Sequence, residues 1–266
     1  MHRFIPSPTV SAVHFGFITI HFYALTILLG ILSAIFIGRY FYARKGGNPE
    51  EIMDVAFYAI PSGIIGGRLY HVVTSPDAYF GSNGHPLDAF KIWEGGMGIW
   101  GAIALGTLVS YKVFIRQKRS LSFLHFADAL APGLLIAQGI GRWGNYFNIE
   151  LFGTPSRLPW ALSVPINERP VGYENFQTFH PAFLYESLWC VLGAALLLFL
   201  SRNRSLKPGS LFLGYIAFYC LGRLGIESLR IDSAHLLLGL RINIWVSGIG
   251  FCVASYFLYR KMKASR

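Results

Sequence analysis

Seven apolar stretches, each close to the length that crosses a lipid bilayer, divide most of this 266-residue chain. They run over residues 18–38, 52–73, 95–115, 122–146, 181–200, 210–230 and 242–259. About 20 apolar residues in a helix span the hydrocarbon core of a membrane. Charged residues make up 14% of the sequence, whereas soluble domains contain about 25%. The sequence therefore predicts an all-α integral membrane protein, a single polytopic domain over residues 1–266 with seven transmembrane helices.

Basic residues between these stretches predict the orientation of the chain, because Lys and Arg accumulate on the cytoplasmic side of a membrane. The ends of the first, third, fifth and seventh stretches and the segments after them hold fourteen of the 23 basic residues: Arg39, Arg44, Lys45, Lys112, Arg116, Lys118, Arg119, Arg202, Arg204, Lys207, Arg260, Lys261, Lys263 and Arg266. We therefore expect the N-terminus outside and the C-terminus in the cytoplasm. The net charge of +10 then reflects topology and contact with anionic lipid headgroups, and nucleic-acid binding is not expected.

Charged side chains inside the apolar stretches are a second constraint, because a charge in lipid costs at least about 2.5 kcal/mol. Four arginines lie in the halves of their stretches that this orientation places outside: Arg68, Arg142, Arg223 and Arg230. In YCLGRLGIESLR, residues 219–230, the spacing of Arg223, Glu227 and Arg230 places them on one helical face. This set either neutralises itself for helix packing or keeps a net positive charge that a ligand can use.

The segment GIGRWGNYFNIELFG, residues 139–153, places Arg142, Asn145, Asn148 and Glu150 among four glycines. Arg142 and Glu150 are too far apart to pair on one helical face, and Gly144 with the two asparagines predicts an irregular backbone or a helix end. Such backbone is tolerated at membrane depth only where protein buries it or a watery cavity reaches it. Gly139 and Gly141 either belong to this site or permit close approach of two helices.

Other polar motifs lie toward the same side of the predicted membrane. They are IHFYAL with His21 and Tyr23, GGRLYH at 66–71, WEGGMGIWG at 93–101, and HPAFLYES with His180 and Glu186. A single His or Tyr at an interface is often only an anchor, but one outward-facing polar cavity would account for all of these motifs. Several arginines with few carboxylates favour an anion, and guanidinium groups suit phosphate. At this depth the sequence predicts a phospholipid headgroup.

Several function classes are excluded or disfavoured by the same residues. No HExxH, GxSxG or aspartate pair indicates an intramembrane protease, and a transporter would need polar inner halves and broken helices. Cys190, Cys220 and Cys252 lack zinc-site spacing and are expected to be small buried residues. We predict no metal and no cofactor, and the N-terminus does not have the pattern of a removable signal peptide.

GRWGNYFNIELFG resembles the signature segment of the bacterial prolipoprotein diacylglyceryl transferases, and the motifs above, with GRLGIESLR, follow in the family's order over about residues 15–259. The resemblance implies an enzyme that transfers the diacylglyceryl group of phosphatidylglycerol to the lipobox cysteine of a prelipoprotein. It implies a thioether product and release of glycerol 1-phosphate, as the first step of lipoprotein maturation. It also implies a multi-pass protein of the bacterial cell membrane whose active site faces the outer leaflet.

The resemblance also implies roles for individual residues. Its catalytic positions are Arg142, Arg223, Tyr23, Asn145 and Glu150, and its phosphatidylglycerol-binding positions are Arg142, Arg223, Gly153, Glu186, Glu227 and Arg230, with Tyr219 a further polar position. Many members carry a histidine, proposed as the general base, where this chain has Trp100. Either Glu150, Tyr23 or His21 takes the proton instead, or no dedicated base is needed. A non-catalytic lipid-binding scaffold is the alternative that Trp100 leaves open.

Overall fold

The fold is mostly helical, and a computed structural model describes residues 4–16, 18–81, 84–92, 95–202, 206–232, 234 and 236–263. Trp93, Glu94, Arg204 and Arg266, which were used in the predictions above, lie outside these residues. The helices are α1 (Phe22–Arg44), α2 (Glu50–Thr74), α3 (Asp77–Phe80), α4 (Ile99–Arg116), α5 (Phe123–Phe147), α6 (Ala182–Leu200), α7 (Ser210–Glu227) and α8 (Ile242–Lys263). Short 3-10 helices cover Pro86–Phe90 and Ile166–Glu168. The strands are β1 (Ala12–Phe15), β2 (Ile18–His21), β3 (Leu162–Ser163), β4 (Thr178–Phe179), β5 (Leu236–Leu237) and β6 (Leu240–Arg241).

A helix lies at each of the seven predicted stretches, with bounds that differ from the predicted ones by up to six residues. Two of these differences change the local structure. Residues 18–21 form β2, which pairs antiparallel with β1, so the first helix begins four residues later than predicted. Thr19 and Ile20 are β-branched and suit a strand, which hydropathy alone does not reveal. Helix α7 ends at Glu227, so Arg230 lies in the turn that follows and not on the helix as predicted.

Among the described residues, five helices are long and apolar enough to cross a membrane, namely α1, α4, α5, α6 and α8. Helices α2 and α7 do not belong to this group, although they have 25 and 18 residues. Helix α2 begins with Glu50 and Glu51 and also carries Arg68, while α7 carries Arg223 and Glu227. The structure therefore supports a membrane protein, and the count of seven spans and the orientation stay predictions.

The chain forms two compact units, whose boundaries fall within α1 and α5. The first unit comprises the residues up to Gly38 and those from Ala127 onward. Its helices share a core of small and apolar side chains from α5, α6 and α7: Ala131, Leu135, Cys190, Ala194, Leu197 and Leu211. A Cβ at Gly133 would lie 2.9 Å from the carbonyl oxygen of Ala34 in α1. Small residues thus bring α1 and α5 into backbone contact.

The segment between α5 and α6 adds a small apolar core to the first unit. Strands β3 and β4 pair antiparallel, and Phe152, Leu162, Val164, Phe179 and Phe183 pack together around them. The two-residue strands are short, so most of the stability of this segment comes from the aromatic packing. This core holds the chain that follows α5 against the start of α6, where the polar motifs lie.

The second unit comprises residues 39–126, in which α2 packs against α4. Gly66 and Gly101 face one another, because a Cβ at either glycine would overlap the other's carbonyl oxygen. At the other end of the unit, the buried carboxylate of Glu51 accepts hydrogen bonds from Tyr42 Oη at 2.7 Å and from the Ser120 backbone N–H at 3.0 Å. These bonds fix the segment before α5 to the start of α2.

The predictions for Gly139 and Gly141 and for the three cysteines have different outcomes from residue to residue. A Cβ at Gly139 would lie 3.3 Å from Cys190 Cβ in α6, whereas nothing lies within 4 Å of a Cβ at Gly141. Close packing therefore accounts for Gly139 but not for Gly141. Cys190 is buried as predicted, Cys220 is half-buried and Cys252 is exposed. The prediction of three buried cysteines is therefore confirmed for Cys190, only partly met by Cys220 and wrong for Cys252.

Candidate active site

The end of α5 turns sharply and brings back the carboxylate of Glu150. Ile149 and Leu151 have φ values of 52° and 57°, a left-handed conformation that is uncommon for residues with a branched or bulky side chain. The turn lets Asn145 Nδ2 donate to Glu150 Oε1 at 3.0 Å, and Asn148 Nδ2 donate to the same oxygen at 3.3 Å. The predicted helix end is thus confirmed, and Asn145 and Glu150 belong to one hydrogen-bonded group.

Gly153 joins this turn to the end of α7 through its backbone. Its N–H donates to the carbonyl oxygen of His180 at 2.9 Å, and it forms an antiparallel β-bridge with Arg230. A Cβ at this position would lie 2.9 Å from His180 Cβ and 3.1 Å from the carbonyl oxygen of Leu229. A side chain would therefore force apart the segments that surround the site.

An alternating chain of charges connects α5, α6 and α7. Arg142 Nε lies 2.5 Å from Glu186 Oε2, and Arg142 Nη2 donates to Tyr219 Oη at 3.3 Å. The other oxygen of Glu186 accepts a hydrogen bond from Arg223 Nη1 at 2.7 Å. Arg223 also pairs with Glu227. One carboxylate thus bridges the two arginines that the sequence singled out.

The charge chain continues beyond α7 to the start of α8. Glu227 is fully buried, and its Oε1 accepts bonds from Arg241 Nε at 2.7 Å and from Asn243 Nδ2 at 3.2 Å. Arg230 Nη1 lies 3.3 Å from Glu227 Oε2. Arg230 also donates to both carboxylate oxygens of Asp232, each at 2.7 Å. Glu227 therefore sits between the turn after α7 and the first residues of α8.

Asp232 closes this end of the chain of charges. Its Oδ2 accepts a hydrogen bond from Arg241 Nη2 at 2.8 Å, and its carbonyl oxygen accepts one from Arg241 Nη1 at 2.8 Å. Burial raises the pKa of the Asp232 carboxyl, but hydrogen bonds and positive charge from Arg230 and Arg241 outweigh it and hold the pKa below its usual value. Asp232 is therefore a charged partner that clasps the turn after α7.

These partners answer how the arginines are accommodated, and they correct one expectation. The network combines Arg142, Arg223, Arg230 and Arg241 with Glu186, Glu227 and Asp232, which leaves one positive charge in excess. The prediction of few compensating carboxylates is therefore wrong. Among the described residues, Glu150 bonds to neutral amides, and the carboxylate that pairs with Arg142 is Glu186.

Arg241, Asp232 and Asn243 were missed from the sequence. Arg241 lies immediately before α8, where a positive charge opposes the helix dipole. An arginine at such a position is a signal that a nearby carboxylate compensates it. The carboxylates are Glu227 and Asp232. Helical spacing did not connect them to Arg241, because α7 ends at Glu227 and the described residues from there to Arg241 are not helical.

The remaining predicted residues lie around this network in different ways. Tyr23, at the start of α1, packs its ring on the backbone of α5, since a Cβ at Gly144 would lie 2.5 Å from Tyr23 Cδ2. The imidazole Nδ1 of His180 lies 3.0 Å from Tyr185 Oη. A cavity of about 10 Å³ beside the network is lined by residues that include Glu186, Tyr219 and Arg223. Such a cavity has room for about one water molecule.

Arg68 belongs to the second unit and is held differently. Its Nε donates to the carbonyl oxygen of Ala89 at 2.9 Å, and its Nη1 donates to those of Gly95 at 2.5 Å and Gly96 at 3.0 Å. Its Nη2 donates to the carbonyl oxygen of Asp88. The guanidinium also lies over the ring of Tyr79, 5.3 Å from the centroid. Arg68 thus organises the loop before α4 through backbone carbonyls.

Comparison with known proteins identifies the family. The model of the family described as prolipoprotein diacylglyceryl transferase matches residues 10–260. The chain belongs to this family. The signature segment with Arg142 and the α7 motif with Arg223 both lie inside the matched region.

Curated relatives agree over nearly the whole chain. It is 48% identical over 248 residues to phosphatidylglycerol–prolipoprotein diacylglyceryl transferase 2 of Streptomyces coelicolor, covering 93% of this chain and 78% of that protein. It is 45% identical over 276 residues to the phosphatidylglycerol–prolipoprotein diacylglyceryl transferase of Bifidobacterium adolescentis, covering 98% and 82%. A relative of the same name from Paenarthrobacter aurescens is 48% identical over 260 residues, covering 94% and 81%.

Proposed function

We propose that this protein transfers the diacylglyceryl group of phosphatidylglycerol to the lipobox cysteine of a prelipoprotein, the first step of bacterial lipoprotein maturation. The observation that carries the proposal is the pair Arg142 and Arg223, held on either side of one carboxylate within a buried network. Two guanidinium groups that hold the two oxygens of one carboxylate can also bind two oxygens of a phosphate. The family and the names of the relatives supply the substrates.

The chemistry forms one bond and breaks one. The cysteine sulfur attacks the glyceryl carbon that carries the phosphate, and the carbon–oxygen bond breaks as the carbon–sulfur bond forms. The departing oxygen leaves as part of glycerol 1-phosphate and takes the bonding electrons. Negative charge therefore grows on the phosphate during the reaction, and donors already aimed at it stabilise the transition state more than the substrate.

Arg142 and Arg223 take the central roles in this proposal. Arg142 binds the phosphate of phosphatidylglycerol, while Arg223 stabilises the leaving group or the cysteine thiolate, whose formation nearby positive charge favours. Glu186, Glu227 and Arg230 position these two guanidinium groups. Because arginine presents a planar fork of donors, lysine would not reproduce the arrangement.

Asn145, Glu150, Tyr23 and Gly153 form the wall of the proposed site at the end of α5. Gly153 completes the phosphatidylglycerol site by holding the turn against Arg230. Of the three general-base candidates, Glu150 is the one we favour, because its hydrogen bonds within the described chain are with neutral amides. A carboxylate without an arginine partner is free to accept the thiol proton. Trp100 has no group that could do so.

The proposal includes a location. The protein is a bacterial cell-membrane protein with seven spans, its N-terminus outside and its C-terminus cytoplasmic. The last turn of α8 carries Arg260, Lys261 and Lys263, which supports a cytoplasmic C-terminus. The charge network lies at the C-terminal ends of α5 and α7 and just before α8, away from the basic last turn of α8. It then faces the outer leaflet, where a prelipoprotein cysteine emerges.

Transfer of labelled diacylglyceryl from phosphatidylglycerol to a lipobox peptide tests the proposal directly. The purified full-length protein is compared with Arg142→Ala and with Arg157→Ala, a matched control whose arginine is exposed in the loop after α5. We expect label on the peptide thiol with the wild type and with Arg157→Ala, and a loss of at least about 100-fold with Arg142→Ala. Equal transfer by all three proteins would remove the phosphate role of Arg142.

Absence of transfer by a folded wild-type protein would contradict the enzyme and favour the lipid-binding scaffold. Trp100→His is the variant that then separates a lost base from a lost site. Gain of transfer by Trp100→His would show that the missing imidazole limits the wild type.

A further inference from the structure

Glu186 occupies a position that an external anion would be expected to occupy. One of its carboxylate oxygens faces Arg142 Nε at 2.5 Å, and the other faces Arg223 Nη1 at 2.7 Å. Two guanidinium groups therefore bind the two oxygens of one anion from opposite sides. A phosphate held by the same arginines would need the same two positions.

The contact between Glu186 and Arg142 is less well formed than its distance indicates. Glu186 Oε2 is buried and has no aligned hydrogen bond, so its contact with Arg142 Nε is ionic only. A buried acceptor without a directed donor loses part of the stabilisation that compensates its desolvation. Oε2 is thus held by charge more than by geometry, whereas Oε1 accepts a directed hydrogen bond from Arg223. The weaker contact with Arg142 makes the carboxylate easier to exchange.

The small size of the cavity beside Glu186 indicates that a phosphate replaces the carboxylate and does not bind next to it. The cavity next to Glu186, Tyr219 and Arg223 has a volume of about 10 Å³, enough for about one water molecule and much less than a glycerophosphate group. A phosphate cannot take the places against Arg142 Nε and Arg223 Nη1 while the two carboxylate oxygens of Glu186 occupy them. An anion that binds between these two nitrogens must therefore displace the side chain of Glu186.

We propose that Glu186 is a resident anion, whose carboxylate holds Arg142 and Arg223 in place in the empty site and must leave when the substrate phosphate binds. This inference rests on the proposed function. It deepens that function by making Glu186 a residue that determines which phosphates the site retains.

The negative charge of Glu186 allows the site to distinguish the phosphodiester of the substrate from the phosphate monoester of the product. The phosphodiester of phosphatidylglycerol carries one negative charge, so its exchange with a carboxylate leaves the charge between the arginines unchanged. The product is a phosphate monoester with about −1.5 to −2 charges at pH 7. Repulsion between the nearby carboxylate and this second charge weakens product binding, and return of Glu186 to the arginines displaces the product.

Glu186→Gln tests the inference because it keeps the shape of the side chain and removes its charge. Binding of glycerol 1-phosphate to the purified full-length protein is measured by calorimetry. The matched control is Glu168→Gln, which removes an exposed carboxylate that bonds to Asn167 and to no arginine among the described residues. We expect Glu186→Gln to bind glycerol 1-phosphate about tenfold more tightly, consistent with the loss of one competing charged hydrogen bond. We expect Glu168→Gln to bind like the wild type.

Glu186→Asp provides a second variant, which retains the charge but shortens the side chain by one methylene. We expect it to bind glycerol 1-phosphate more tightly than the wild type and less tightly than Glu186→Gln. If Glu186→Gln fails to fold, this variant carries the test alone.

Unchanged or weaker binding of glycerol 1-phosphate by variants that melt like the wild type would overturn the inference, because the carboxylate would then belong to the bound state. Binding is measured without transfer, so this outcome differs from failure of the proposed function. That failure is a wild type that binds the phosphate and yet labels no peptide.

Discussion

Arg68 and Arg223 are both nearly buried within predicted spans, but their partners differ in kind. Arg68 is 8% exposed and bonds to carbonyl oxygens of the loop before α4. The side chain of Arg223 is 12% exposed and lies between Glu186 and Glu227. Backbone carbonyls are fixed by the fold and cannot be exchanged, whereas a carboxylate can rotate away. The difference indicates that Arg68 builds structure and that Arg223 is able to receive an incoming anion.

The largest effect is expected from removing the exchangeable arginine. Arg223→Ala should lower the kcat for diacylglyceryl transfer by about 100- to 1000-fold, the usual cost of losing one donor to a developing negative charge. Arg223→Lys keeps the charge but loses the planar fork, so an intermediate loss is expected. Transfer to a lipobox peptide measures both. The comparison with Arg68 breaks down if Arg223→Ala loses stability but retains the kcat of the wild type.

Arg68→Met should act on stability. The variant removes the donor of the partly buried hydrogen bonds to the carbonyl oxygens of Ala89, Gly95 and Gly96. At about 0.5–1.5 kcal/mol net for each bond, the loss should cost about 2–3 kcal/mol. A lower melting temperature and faster proteolysis within residues 84–98 would report it. Lys118→Met is the matched control, because Lys118 is exposed in the same unit. Arg68 would have a role like that of Arg223 if Arg68→Met melted like the wild type and lost transfer.

Two glycines of the signature segment provide a narrower contrast. Gly153→Ala should destabilise the protein by about 1–3 kcal/mol, because the added methyl would lie 2.9 Å from His180 Cβ. Gly141→Ala meets no atom within 4 Å and should be neutral or stabilising within α5. Thermal unfolding of both variants checks the pair. Equal melting temperatures would show that the segment around Gly153 adjusts to a side chain.

The smallest effect concerns Asp232 and depends on pH. Its folded-state pKa lies below the usual value, so its carboxylate contributes stability above the unfolded pKa of about 3.9. That contribution disappears as the pH falls through the folded-state pKa. The melting temperature of the wild type should therefore exceed that of Asp232→Asn at pH 7. The difference should narrow as the pH falls below about 4 and vanish below the folded-state pKa. A constant difference across this range would exclude a charge effect.

The positions of the seven long helices could be predicted because each coincides with one of the seven apolar stretches of the sequence. Hydropathy does not separate a β-branched strand from a helix, so the start of α1 was placed four residues early. It also does not show where α7 ends. Arg230 was therefore expected on the helix, although it lies in the following turn and still contacts Glu227.

Side-chain partners were less predictable because they come from different helices. Arg142 and Glu186 are 44 residues apart in the sequence. Helical spacing offered Arg142 no carboxylate partner, because Glu150 is too far along the chain to share its helical face. The motif placed both Arg142 and Glu186 in the site, but not against one another. Asp232 precedes the β5–β6 hairpin, and Arg241 is the last residue of β6. Both lie outside the apolar runs, so no pattern of buried charge drew attention to them.

Binding of a short-chain phosphatidylglycerol to the purified full-length protein tests most directly whether the charge network is the phospholipid site. Wild type, Arg142→Ala and Arg157→Ala are titrated by calorimetry under the same conditions. The account predicts that Arg142→Ala binds about 100-fold more weakly, since it loses a charge-assisted contact to phosphate, and that Arg157→Ala matches the wild type. Equal affinity of all three folded proteins would contradict it and place the phosphate elsewhere.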